Sequence, residues 1–296
     1  MNVYKLRPFD NGYQVIEKGA FETATLKKRP WYQKNERGED VQYAVCPACN
    51  NPVQIIGLYR LPANVQRPFG RHAGHGVPDL APLNVDERDN CLYFRPRPRK
   101  KSDRRAQMSE VSHQILQTLI EQFDRVMYII RQQTGIVYSQ NTARKMLETY
   151  RGERGYLYTG ATLLNIPWIF AYMSDSQALF GQYLKNPAII DAIRKEVPDA
   201  MVSAEGQLKS REKAFFSIDA CFIHHRVSKD SEDGLLVENM KLVASSGQGD
   251  QAQVLHTQEI VFEHDWFQSL IQNVVDATKR DMALVETARQ VLGDLL

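Results

Sequence analysis

The chain has 296 residues, 43% hydrophobic and 24% charged, with four cysteines. This predicts one large or two modest domains with a sizeable core, and it excludes a fold that depends on a disulfide framework. Net charge is only +2, yet residues 1–105 carry 19 Lys and Arg against 11 Asp and Glu, a front at +8 and a remainder at −6.

That asymmetry is expected of a polyanion-binding module joined to a different body, although lysines and arginines kept only for solubility would produce it too. The amino-terminal MNVYKLRPFD has neither an apolar stretch nor a small-residue cleavage site. The most apolar run, Ile166 to Met173, is far shorter than the roughly 20 residues that cross a bilayer. The expectation is a soluble, cytoplasmic protein with no membrane partner.

In chain order, Asn11-Gly12 signals a turn before a short strand with Tyr13, Val15 and Ile16. A polar, basic loop from Leu26 to Asp40 carries Trp31 and Tyr32, and a strand follows through Val41, Tyr43 and Val45. Another strand is predicted from Val53 to Tyr59. Residues 95–105, RPRPRKKSDRR, cannot form a regular helix or central strand because of Pro96 and Pro98. They read as a basic linker at a domain boundary.

Ser109 can cap a long helix whose apolar residues, Val111 to Ile130, recur every three or four positions until Gly135 ends it. Further helices are predicted over Ser139–Tyr150, Trp168–Met173 behind Pro167, Ser176–Leu184 and Pro187–Val197. Then the period changes. Phe215–Val227, Leu235–Ala244 and Val254–Phe262 read as an antiparallel meander, and Trp266–Leu295 as a long closing helix. The predicted fold class is α+β: a small β-rich domain over residues 1–94, where Cys46, Cys49, His72 and Cys91 would bind zinc, a basic linker over 95–108, and a helical domain ending in the meander and helix over 109–296.

Cys46-Pro47-Ala48-Cys49 places two thiolates on one turn, where backbone amides can reach the sulfurs. His72 follows after 22 residues, His75 after two more, and Cys91 after a further 15. A structural zinc takes four soft or borderline ligands in a tetrahedron, and Cys46, Cys49, His72 and Cys91 supply them. His75 is the alternative fourth ligand, between two glycines where the chain is loose. The pattern resembles zinc ribbons and treble-clef fingers, with one CxxC turn kept and the second replaced by a separated His and Cys. The resemblance covers residues 46–91 and implies one structural Zn2+. A redox dithiol, ordinary core cysteines and a catalytic zinc are the competing readings; Asn50-Asn51-Pro52 is a poor helix start and disfavours the first.

Lys27, Lys28, Arg29, Arg67, Arg71, Arg97, Arg99, Lys100 and Lys101 are the candidate nucleic-acid-binding residues, interleaved with Trp31, Tyr32, Tyr59, Phe69, Tyr93 and Phe94. Guanidinium groups grip phosphates and aromatic faces stack on exposed bases. A helix-turn-helix over residues 117–160, with Arg144, Lys145, Arg151 and Arg154, is a second possible contact.

The chain carries no phosphate loop, dinucleotide fingerprint or GxSxG elbow. In the predicted meander, Asp219 and His225 share the more polar face, opposite His224. Asp219, Glu238 and Lys241 are the residues a metal-dependent nuclease would use, but Glu238 and Lys241 point to opposite faces of a regular strand unless a bulge intervenes. Cys221 lies in an apolar strand, where a thiol is inert. The leading expectation is a non-enzymatic, zinc-containing nucleic-acid-binding protein whose carboxy-terminal domain binds a protein partner or dimerises. A nuclease with the finger as docking module, and a protein-interaction adaptor with a purely structural zinc, are the alternatives.

Overall fold

The computed structural model describes residues 1–296 except 36, 213, 231–234, 248, 250–251 and 273–279. The front holds β1 (Val3–Tyr4), β2 (Gln14–Val15), α1 (Lys18–Thr25), β3 (Tyr32–Lys34), β4 (Asp40–Val45), β5 (Pro52–Ile56), β6 (Phe69–His72) and α2 (Val85–Asn90). Then come α3 (Glu110–Glu121), α4 (Phe123–Thr134), β7 (Ile136–Val137), α5 (Gln140–Gly152), α6 (Ile166–Met173), β8 (Gln177–Ala178), β9 (Tyr183–Leu184) and α7 (Pro187–Glu196). The chain continues through β10 (Ala200–Val202), β11 (Leu208–Ser210), β12 (Ile218–Lys229), β13 (Leu236–Ser246), β14 (Gln253–Val261), α8 (His264–Gln272) and α9 (Met282–Leu292). Helices and antiparallel sheets together make an α+β fold.

Two four-stranded antiparallel sheets organise the chain, in the orders β3-β4-β5-β6 and β14-β13-β12-β8. In the first, β4 is buried on both faces. Ala44 faces a core with Val53, Ile55, Phe21 and the three front cysteines, while Val41, Tyr43 and Val45 face a smaller cluster with Val77 and Leu80. The second sheet packs its inner face, Ile218, Ala220, Phe222, Met240 and Leu242, against the helices in the main core. α6 is buried along its whole length. Trp168 stacks on Phe262 at 5.0 Å.

Several helix ends lie where their residues require. The side chains of Ser109 and Ser139 accept the amides of Ser112 and Thr142, as N-caps do. Gly135 closes α4 at φ 70°, and a Cβ there would come within 2.7 Å of the Asn186 nitrogen.

Four expectations are corrected. The helix after Ser109 is two helices, because the backbone of Gln122 leaves the helical region. Ser176–Leu184 is not helical: Gln177 and Ala178 pair with the edge of β12, and Gly181 turns the chain at φ 79°. The closing helix is not continuous: α8 is described to Gln272, residues 273–279 of the expected helix lie outside the described residues, and beyond them Arg280 forks onto Asp124 of α4 while Asp281 starts α9 as its N-cap. The polar loop from Leu26 instead contains β3, with Tyr32–Lys34 paired to β4, and it is preceded by α1.

Residues 95–105 are bonded to both sides of the chain. Arg99 donates to the Asn90 side chain and carbonyl, both at 2.9 Å. Arg105 is buried. It forks onto Glu87 of α2 at 2.8 and 3.0 Å and donates to the carbonyls of Tyr158 and Ala161 at 2.6 and 2.9 Å. Ser109 completes Glu87 with a bond of 2.6 Å. Breaking such a pair from one side strands a buried charge, whereas replacing both partners by apolar groups is often tolerated. Glu87→Gln is therefore expected to lose roughly 3 kcal/mol of stability in chemical denaturation, and Glu87→Met with Arg105→Met to recover much of it. Equal losses in the single and double variants would contradict this.

Candidate metal centre and basic surface

The turn from β4 to β5 holds Cys46 and Cys49. Asn50 takes a left-handed conformation at φ 59°, and its amide closes the turn onto the Cys46 carbonyl at 3.0 Å. The amides of Ala48 and Cys49 bond the Cys46 sulfur. Sheet register brings in the third ligand: Ala44 pairs with Val53 and Val53 with His72, at the end of β6. Cys91 arrives as the C-cap of α2. Asn51 ties the two parts together, donating to the Cys49 sulfur at 3.4 Å and accepting the Asn84 amide at 2.8 Å, where α2 begins.

The four donor atoms all lie within 4.8 Å of one another. Cys46 and Cys91 sulfurs are 3.7 Å apart, and the Cys49 sulfur is 3.4 Å from His72 Nε2. Zinc–sulfur bonds of about 2.3 Å and zinc–nitrogen bonds of about 2.0–2.1 Å in a tetrahedron require separations of about 3.8 and 3.5 Å. The sulfurs are buried and His72 is 9% exposed, so the cluster is closed to substrate and can hold one metal ion. Burial opposes a charge on Cys46, but hydrogen bonds from Cys49, Cys91 and the two amides outweigh it and hold that thiol well below its usual range. His75 is exposed, with Nδ1 2.8 Å from the Gly76 carbonyl.

The carboxylates of the nuclease reading are not brought together. Asp219 pairs with Ser245, while Glu238 pairs with Val227 seven residues away on β13, about 23 Å at 3.3 Å per residue. Lys241 lies on the exposed side of β13 and Glu238 on the buried side. Cys221 belongs to no metal-ligand cluster among the described residues.

Glu238 instead centres a buried network. His225 Nε2 donates to its Oε1 at 2.6 Å, Asn165 Nδ2 donates to the same oxygen at 2.7 Å, and His264 Nε2 donates to Oε2 at 2.9 Å. His225 Nδ1 is 3.0 Å from the Tyr158 hydroxyl, and the imidazole stacks on Phe262 at 5.4 Å. A bulge at His224, with φ 58°, makes this possible: it shifts the register between Ile223 and Arg226 and turns His225 inward and His224 out, the reverse of the regular alternation.

The basic residues occupy several surfaces. Lys27 and Arg29 line a groove of about 770 Å³ with Tyr32, Lys34, Asp40, Gln42 and Tyr59, and Lys28 is exposed beside it. Arg71 lies on the other face of the sheet, bonded to Gln54 at 3.2 Å. Arg67 lines a depression with Lys229. Arg97 and Lys100 are exposed; Arg99 is engaged as described, and the Lys101 ammonium lies 5.4 Å from the ring centre of Tyr172. In the segment of the helix-turn-helix reading, α5 packs on α9, with Arg144 bonded to Gln290 and Arg151 to Asp294, while Lys145 and Arg154 are exposed.

Two features have weak sequence signals. Asn51 is recognisable only as an amide next to the CxxC turn, and Glu87 only as one acid among four in the 79–89 stretch. No family model matches the chain, and neither does any curated protein or solved structure.

Two outcomes test this geometry. Cys46→Ser combined with Cys49→Ser is expected to take metal content from about one ion per chain to none and to remove hydrogen-exchange protection from the front sheet. Metal retained by that double variant would discard the cluster. For Glu238, burial raises the carboxyl pKa, and the bonds from His225 and His264 more than reverse this, bringing it from 4.5 to about 2. A carboxyl depressed on folding stabilises fully above its unfolded value and loses that contribution as pH falls through the folded one. The gap between native protein and Glu238→Gln, about 2–3 kcal/mol at neutral pH, should therefore shrink between pH 4.5 and 2. A gap that does not change with pH in urea titrations would count against it.

Proposed function

We propose that the chain is a nucleic-acid-binding protein whose front end is shaped by one structural zinc. The donor chemistry supports zinc: three thiolates and one imidazole in a closed, buried tetrahedron suit that ion better than oxygen-seeking cations. The single observation carrying the nucleic-acid reading is the retained cationic surface of the front end. Residues 1–105 have a net charge of +8, and Lys27, Lys28, Arg29, Arg97 and Lys100 remain exposed after Arg99 and Arg105 have turned inward. The carboxylates of the nuclease alternative lie far apart, which counts against that set of residues.

Phosphate binding by cations releases counterions, so affinity falls with salt in proportion to the contacts made. About three phosphate contacts predict a loss of roughly 20- to 40-fold between 50 and 200 mM salt. Fluorescence anisotropy with mixed-sequence oligonucleotides reads this directly. A protein that holds its zinc and retains no oligonucleotide even at 50 mM salt would reject the reading and favour a protein-interaction adaptor.

A further inference from the structure

Resting on the nucleic-acid reading, we propose that the groove beside β3 is the seat of a single-stranded nucleic acid. Tyr32 and Tyr59 meet its bases, and Lys27, Arg29 and Lys34 hold its phosphates. The groove is open and about 770 Å³ in volume, within the range of ligand sites. Its two tyrosines are held in place. Tyr32 packs on the fully buried Phe21 with ring centres 5.8 Å apart, and its hydroxyl lies 3.1 Å from that of Tyr59. Tyr59 donates to Glu22 at 2.8 Å, carries the Lys18 ammonium 4.9 Å from its ring centre, and is still 50% exposed.

The charges around these rings favour an anion. Among the described residues that line or pair across the groove, Lys18, Lys27, Arg29 and Lys34 stand against Glu22 and Asp40, a net of +2. Lys27 pairs with Glu22 at 3.1 Å and Lys34 with Asp40 at 3.3 Å, both near the surface. Such exposed pairs contribute little, so a phosphate can replace either carboxylate at small cost. Among the described residues Arg29 has no acidic partner, and its planar guanidinium suits two phosphate oxygens at once. The loop is also held in an uncommon form: Leu26 and Lys27 take successive left-handed conformations at φ 51° and 53°, and Leu26 is exposed. Non-glycine residues held this way cost energy and gather at binding sites.

The strand state follows from the aromatics. In a duplex the base faces are stacked inside and only base edges, sugars and phosphates reach a protein, which leaves the faces of two ordered tyrosines without a base to stack on. An unpaired strand offers both groups.

The experiment uses the full chain with its metal and labelled 15-nucleotide oligothymidine, oligouridine and a hairpin duplex, in anisotropy at 50 mM salt. The expected result is tighter binding of one or both single strands than of the duplex, with the two homopolymers distinguishing DNA from RNA. Base stacking predicts a loss of roughly 5- to 100-fold in Tyr59→Ala, with Tyr59→Phe near native. Arg29→Glu should weaken all binding and flatten its salt dependence. Unchanged zinc content and melting temperature establish that each variant is folded. Native binding with no loss in Tyr59→Ala or Arg29→Glu would overturn the groove but leave the nucleic-acid reading standing. Equal or tighter duplex binding would overturn the strand preference. No binding by native protein would remove the reading beneath the proposal, and the proposal with it.

Discussion

The Arg105 guanidinium is the joint between the two halves of the molecule. Its fork meets Glu87, on the helix that delivers Cys91, and its remaining bonds go to the carbonyls of Tyr158 and Ala161 in the helical body. Ser109 shares Glu87 while capping α3. A buried guanidinium needs all of these partners, because each one lost leaves charge in a poorly solvating interior. α2 with its Cys91 cap, the start of α3 and the 158–161 loop are thus held by one side chain. The same Tyr158 reaches on through its hydroxyl to His225 and Glu238, so a chain of polar contacts runs from α2 to the start of α8.

This arrangement changes what the basic front can do. A run of arginines and lysines in the sequence reads as a charged surface, but Arg99 and Arg105 spend their donors inside the protein. Among the cations left outward, those around α1 and β3 lie where Tyr32 and Tyr59 also lie. Charge and aromatic faces coincide at that groove, and it rests on the sheet that carries His72.

Glu238 shows why a carboxylate on a strand is poor evidence of catalysis. It has three donors and is buried, so it is held ionised with no free lone pair aimed at solvent. Phe262 stacks on its partner His225, and Trp168 stacks on Phe262 in turn. These contacts describe a polar element that fixes how β12, β13, α6 and α8 register, a role buried networks can fill when every member is satisfied.

The sequence alone determined what depends on short-range pattern. The CxxC turn, the helix caps at Ser109 and Ser139, the Gly135 stop and the three meander strands were all legible, since each rests on neighbouring residues or on a 3.6- or 2-residue period. The ligand set was legible in type and spacing, but only the pairing of β5 with β6 brings His72, and not His75, to the sulfurs. Tertiary structure alone decided the rest. The bulge at His224 reversed two histidines, because one extra residue in a strand exchanges every face beyond it. Arg280 is tied to Asp124 where a continuous final helix was expected, and Arg105, within the expected linker, is buried against Glu87. In each case the partners are far apart in sequence, and local propensity carries no information about a contact that only folding creates.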